Sequence, residues 1–170
     1  MRKSYIAALA AIALAGCSRV PPQHVGIKVS YYGNDKGVDE KSVLGTGSYF
    51  TGGGLLSYIV IYPTYSTTEI WKAVGDSDGE NQSLSFNDSQ GLTFNADFSV
   101  IFNIKREDIV KVYLQYHEDM HTLANGLIRT TVVSALNREA SIRTSDELLG
   151  KGKTKFLDAV VKDVRDQLGP

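Results

Sequence analysis

An α+β fold, with a mainly antiparallel sheet in the first part of the chain and packed helices in the second, is predicted by three observations. Apolar side chains alternate with polar ones between Leu84 and Ile104. Beyond Lys105 they recur at helical spacing instead. The other strand-like runs all precede that change of period, which is the segregated order expected when helices pack on one side of a sheet.

Each element can be justified in turn. Val25, Ile27 and Val29 alternate with His24, Lys28 and Ser30, which predicts a strand over 24–32. Gly33-Asn34-Asp35-Lys36-Gly37 supplies residues that tolerate positive φ, so the chain should reverse there. Val43-Leu44 leads into Gly45-Thr46-Gly47-Ser48-Tyr49-Phe50, and Gly52-Gly53-Gly54 makes a second corner. Tyr58 to Tyr62 is a short β-branched run ended by Pro63, and Thr67 to Val74 reads as a strand centred on Trp71. Gly75 to Ser83 is polar and reads as an exposed loop.

Leu84 and Phe86, then Leu92, Phe94, Ala96, Phe98, Val100, Phe102 and Ile104, predict two half-buried strands joined through Asn87-Asp88-Ser89-Gln90-Gly91. Ile109, Val112, Tyr113 and Tyr116 then mark one face of a helix. Met120, Leu123, Ala124, Leu127, Ile128, Thr131, Ala135 and Leu136 mark a second helix, weakened at Gly126. Thr144 with Glu147 resembles a capping box, and Phe156 to Leu168 continues as an amphipathic helix after Gly150-Lys151-Gly152.

Ahead of the first strand lies a targeting segment. Arg2 and Lys3 form a positive n-region, and Tyr5 to Ala15 form an apolar stretch well short of the ~20 residues that span a bilayer. Leu14-Ala15-Gly16-Cys17 resembles the bacterial lipobox, in which the cysteine sulfur receives a diacylglyceryl group and cleavage falls just before it. Residues 1–16 are therefore expected to be a lipoprotein signal peptide. Cys17 becomes the lipidated first residue, 17–23 with Pro21-Pro22 a tether, and 24–170 the folded domain. The plainer alternative is an ordinary secretory signal followed by a chance cysteine. The single cysteine cannot form an internal disulfide, and lipidation would consume a thiol otherwise open to mispairing. Ser18, which is not an aspartate, favours the outer membrane over the inner by analogy with lipoprotein sorting, with the domain facing the periplasm.

The whole chain carries a formal charge of -1, and without Arg2 and Lys3 it has 16 basic against 19 acidic side chains. Interspersed charges of that balance exclude nucleic acid as a main partner and give no polybasic membrane patch. Attachment to a membrane is then left to the lipid. No cofactor or small-molecule substrate is evident.

His117-Glu118-Asp119-Met120-His121 fits H-E-x-x-H. On a helix its two histidines would share a face and hold zinc, Glu118 would act as general base, and Glu139 is a conceivable third ligand. Against that zinc metallopeptidase reading stand the acidic Asp119, the polar flanks Gln115, Tyr116 and Thr122, and a position where two helical stretches meet. The competing reading is a solvated helix start, with Glu118 and Asp119 near the positive end of the helix dipole. Trp71 and the tyrosines at 31, 32, 49, 58, 62 and 65 are either core or a surface for glycan or cell wall. The core reading is favoured because strands bury such residues by default. Gly52-Gly53-Gly54 is better explained as a hairpin corner than as an anion cradle.

The order of short motifs resembles the SPFH family of stomatin, prohibitin and flotillin relatives, also called band 7 or PHB domains. It is most similar to the short lipoprotein-like bacterial and phage members. The motifs are Val25-Gly26-Ile27-Lys28, Tyr32-Gly33-Asn34-Asp35-Lys36-Gly37, Leu44-Gly45-Thr46-Gly47-Ser48-Tyr49, Tyr62-Pro63-Thr64 with Trp71, Phe86-Asn87-Asp88-Ser89-Gln90-Gly91-Leu92 and Arg129-Thr130-Thr131-Val132-Val133. The resemblance implies a non-enzymatic membrane scaffold that self-associates or binds membrane proteins, among them a protease of the FtsH type. It implies no catalytic, cofactor or metal residues. Relatives use a transmembrane or hairpin anchor and continue into a long coiled coil, whereas this sequence reads as lipid-anchored and ends at Leu168-Gly169-Pro170.

Overall fold

A computed structural model of the chain describes residues 16–33, 36–73 and 81–169. The signal segment up to Ala15, the centre of the first turn and most of the 75–83 loop lie outside the described residues. The chain divides into two compact units, Met1–Thr67 with Phe102–Met120, and Thr68–Ile101 with His121–Pro170.

The first unit is built on β1 (Cys17–Val20), β2 (His24–Ser30), β3 (Gly37–Leu44), β4 (Gly47–Phe50) and β5 (Ser57–Pro63), with helix α1 (Ile109–Tyr116). β2 is the central strand of a β3-β2-β5 sheet, antiparallel to both neighbours. Its ladder with β5 runs unbroken from His24 opposite Pro63 to Ser30 opposite Ser57. β-branched residues fill this ladder; Val25 and Ile27 are buried as the alternation predicts, Val29 on the same face is half-buried, and Tyr62 on β5 is buried too.

The segment expected to be a tether behaves differently. Cys17–Val20 pairs antiparallel with β4, from Cys17 opposite Phe50 to Val20 opposite Gly47, and Val20 is fully buried. Gly26 allows this docking: a Cβ there would come within 2.6 Å of the Ile59 Cγ2 and 2.8 Å of the Val20 Cγ2. Among the described residues the first strand therefore begins at the cysteine itself. Pro21-Pro22 forms only the bend between β1 and β2.

Two tyrosines close this unit. The hydroxyls of Tyr58 and Tyr113 lie 2.8 Å apart, and the Tyr62 hydroxyl donates to the Glu118 carbonyl, so strand β5 is fastened to the helix and its exit. Burial pushes the Tyr62 hydroxyl up to about 12, with the Asp119 and Glu118 carboxylates adding to it. Burial, then the bond to Tyr58, also raises Tyr113. Both phenols stay protonated well into the alkaline range.

The second unit holds β6 (Thr67–Trp71), β7 (Leu84–Asn87), β8 (Thr93–Ala96) and β9 (Phe98–Phe102), apart from the end residues Thr67 and Phe102. Here the alternation predicts one long strand, and the fold makes two. β8 pairs with β7, β9 pairs with β6, and the break falls at Asp97, whose carboxylate accepts the Ala73 N–H at 2.9 Å. Even-numbered positions from Phe94 to Phe102 remain partly buried while the odd ones are exposed, so the period survives the break.

Helices α2 (Met120–Leu123) and α3 (Arg129–Ala140) are joined by a π-helical stretch, Ala124–Ile128, which contains Gly126. The weak position thus widens the helix without ending it. α4 (Ser145–Leu149) starts at a capping box in which the Glu147 carboxylate accepts the Thr144 N–H at 2.9 Å. α5 (Lys153–Leu168) packs Phe156 and Val160 inward. Phe86 is the hub of this core, with Phe94 stacked at 5.8 Å and Phe98 and Phe156 close by. Asp88 ties the β7–β8 turn to α4: its carboxylate accepts from the Ser145 hydroxyl and from the N–H groups of Gln90 and Leu92.

Candidate membrane-attachment site

Cys17 is exposed at the free end of the β1–β4 ladder. Directly across from it stands Phe50, 60% exposed. The chain then turns through Gly52–Gly54, where all three glycines have positive φ, a conformation that residues with a Cβ adopt at a cost. Leu55 emerges from that turn 78% exposed, followed by the half-exposed Leu56. The Tyr31 N–H donates to the Leu56 carbonyl at 2.9 Å, which brings exposed Tyr31 and Tyr32 to the same end of the β2–β5 ladder. Phe50 thus stands opposite the cysteine, and Leu55, Leu56, Tyr31 and Tyr32 are further exposed large side chains on the adjoining turn and the adjoining end of the β2–β5 ladder.

The opposite end of that ladder carries His24, Pro63 and Tyr65, with the His24 and Tyr65 rings 5.5 Å apart. Seven paired positions separate the two ends, which is roughly 20 Å at the usual strand rise. Isolated exposed apolar residues are ordinary on a protein surface, but a contiguous group marks an interaction site. Tyrosine beside leucine and phenylalanine suits the boundary between water and hydrocarbon in particular.

Cys17, the residue expected to carry lipid, is exposed, while the exposed Phe50, Leu55 and Leu56 were not among the candidate site residues. The signal was present in Gly52-Gly53-Gly54-Leu55-Leu56, a tight turn followed by an apolar pair where loops are ordinarily polar. The aromatic set divides: Trp71 and Tyr62 are buried, Tyr49 and Tyr58 half-buried, and Tyr31, Tyr32 and Tyr65 exposed. Neither the core nor the surface reading holds for all of them.

The zinc alternative loses its geometric basis. α1 ends at Tyr116, His117 takes a left-handed conformation (φ 57°, ψ 26°), and a new helix begins at Met120. The motif requires His117 and His121 four apart on one uninterrupted helix, and the left-handed residue breaks it. Glu139 forms an ion pair with Arg143 at 2.7 Å, and the His121 ring lies 3.2 Å from the Asn125 amide. Among the described residues no group of three His, Cys, Asp or Glu side chains could hold a metal ion. Glu118 and Asp119 sit just ahead of α2, the helix-start position that the competing reading gave them.

The SPFH domain / Band 7 family matches residues 18–170. The chain belongs to that family. No curated protein matches it. The SPFH match begins at the residue after Cys17, within β1, the first strand among the described residues. SPFH domains are a membrane-associated, scaffold-type family. Among the described residues no helix is long and apolar enough to cross a membrane.

Proposed function

We propose that this SPFH protein is a lipoprotein scaffold without enzymatic activity, held against a membrane by a diacylglyceryl group on Cys17. One observation carries the reading: the exposed cysteine opens strand β1 opposite the exposed Phe50, with the exposed Leu55, Leu56, Tyr31 and Tyr32 on the adjoining turn and ladder end. A lipid there is attached without a tether. The acyl chains and the apolar rim then enter the bilayer together, and the rim supplements an anchor that a single acyl chain would make only marginal.

From that position the domain is suited to organise membrane proteins or restrain a protease of the FtsH type, and to associate with its own copies. Ile70 and Ile101, exposed on the paired strands β6 and β9, offer apolar surface for such contacts. The address that fits Ser18 is the periplasmic side of the outer membrane. Palmitate labelling of the wild type and of Cys17→Ser tests the anchor: label on the wild type alone is expected, and equal labelling of both contradicts it. Crosslinking in intact cells tests the scaffold role, which predicts trapped membrane-protein or self partners that disappear with Cys17→Ser.

A further inference from the structure

Gly16 precedes the first strand yet is buried. Its carbonyl accepts three hydrogen bonds: from the Thr51 N–H at 2.7 Å, from the Thr51 hydroxyl at 3.1 Å and from the Gly53 N–H at 3.4 Å. Thr51 is only 1% exposed, and its hydroxyl also meets the Ser18 hydroxyl at 2.9 Å. The positive φ of Gly52 and Gly53 turns this stretch of backbone toward a single carbonyl oxygen. The result is a small notch of donors, buried at Thr51 and open at Gly53, at that end of the unit.

Maturation of a lipoprotein removes that oxygen. Water adds across the amide between Gly16 and Cys17, Gly16 leaves as a carboxylate, and Cys17 keeps a free α-amine. The buried Thr51 N–H is then left without its acceptor, and an unpaired buried donor is destabilising. N-acylation supplies a replacement. The Cys17 amine attacks the carbonyl carbon of a phospholipid acyl ester; the N–C bond forms, the ester C–O bond breaks, and the amine proton leaves on the lysophospholipid alcohol. The new carbonyl is bonded to the Cys17 nitrogen as the Gly16 carbonyl was, in the same planar trans amide.

We infer that the Thr51–Gly53 notch is the seat of the carbonyl of an N-acyl group on Cys17, an inference that rests on the lipoprotein reading. The second carbon of the acyl chain takes the place of the Gly16 Cα. The Phe50 ring already lies beside that position, since a Cβ on Gly16 would be 2.7 Å from the Phe50 Cε2. That approach is too close for a substituent unless the ring shifts, so the acyl chain leaves the notch in the direction taken by the Gly16 backbone nitrogen, past the Phe50 ring. The notch makes the N-acylated form the better-folded one, and it fixes the domain at the bilayer by a hydrogen-bonded amide as well as by free chains.

The test uses the full mature chain, extracted in detergent in two forms: N-acylated, and diacylglyceryl with a free amine from cells lacking N-acyltransferase activity. The mass of the N-terminal peptide establishes which is which. Amide hydrogen exchange at Thr51 and Gly53 is expected to be about tenfold or more slower in the N-acylated form, with the β7–β8 amides unchanged. Thr51→Ser preserves the difference and Thr51→Val narrows it. Equal exchange in the two wild-type forms overturns the notch and leaves the lipoprotein reading standing. An N-terminal peptide without a glyceride on Cys17 overturns both.

Discussion

Two short antiparallel ladders, β1–β4 in the first unit and β7–β8 in the second, use phenylalanine in opposite ways. Phe86 on β7 is 6% exposed and gathers Phe94, Phe98 and Phe156 around it, whereas Phe50 on β4 stands in solvent opposite Cys17. Two-stranded ladders are marginal alone and need a partner layer. α3 and α5 supply that layer for the second unit through Leu136, Val160 and Phe156. The β1–β4 ladder buries Val20 while Phe50 stays 60% exposed, and in the proposed function the membrane that a lipid on Cys17 would bring is what covers it. An aromatic residue is thus buried or left exposed according to what its strand is given to pack on.

The comparison can be broken most directly by truncation. Phe86→Ala should cost about 3–5 kcal/mol, because it empties the hub of a buried cluster. Phe50→Ala should change stability by no more than about 0.5 kcal/mol, as an exposed residue does. Chemical denaturation followed by Trp71 fluorescence and by tyrosine signals reads the two separately. The single tryptophan lies in the second unit, and the eight tyrosines among the described residues fall in the first. A large loss from Phe50→Ala would mean that the residue is a core element after all.

A smaller effect is expected at Gly26→Ala. The added methyl meets the β-branched Ile59 and Val20, and overpacking of that kind costs about 1–3 kcal/mol. Denaturation should show the loss in the tyrosine signal. Faster amide exchange in β1 should accompany it, since Val20 is what holds the strand down.

The two units should also fail at opposite ends of the pH scale. Tyr62 has a folded pKa raised above its unfolded value, so the stability it lends is complete below about pH 10 and is lost as pH rises toward 12. Asp88 has a folded pKa lowered, first by the Ser145 hydroxyl and then by the backbone bonds of its turn. Its contribution is present above the ordinary carboxylate pKa of about 4 and is lost as pH falls through the lowered value. Tyr62→Phe should flatten the alkaline decline of the tyrosine signal, and Asp88→Asn the acid decline of the Trp71 signal. An unchanged acid profile in Asp88→Asn would show that other carboxylates govern that limb.

Legibility in the sequence followed periodicity. The β2–β5 ladder, the even-numbered face from Phe94 to Phe102, the capping box at Thr144 and the final helix were readable because their burial repeats over several residues. β1 was not: Cys17-Ser18-Arg19-Val20 has one buried residue and no period, and its pairing depends on Gly26 leaving room for Val20. The split at Asp97 was hidden for a related reason, because a change of partner strand leaves the alternation intact. At the candidate attachment site the cysteine stands out in its motif, while the exposed apolar residues near it depend on which side chains remain uncovered, a property of tertiary packing.

The central claim is that the Cys17 end of the first unit lies in the bilayer. Lipid on Cys17 leaves no other thiol, so nitroxide labels at Leu55→Cys and, separately, Tyr65→Cys in the full lipidated chain on vesicles read two positions on one unit. Leu55→Cys should be relaxed by oxygen dissolved in the hydrocarbon and shielded from a water-soluble nickel chelate. Tyr65→Cys, at the other end of the ladder roughly 20 Å away, should show the reverse. Equal access of the chelate to both labels would contradict the account.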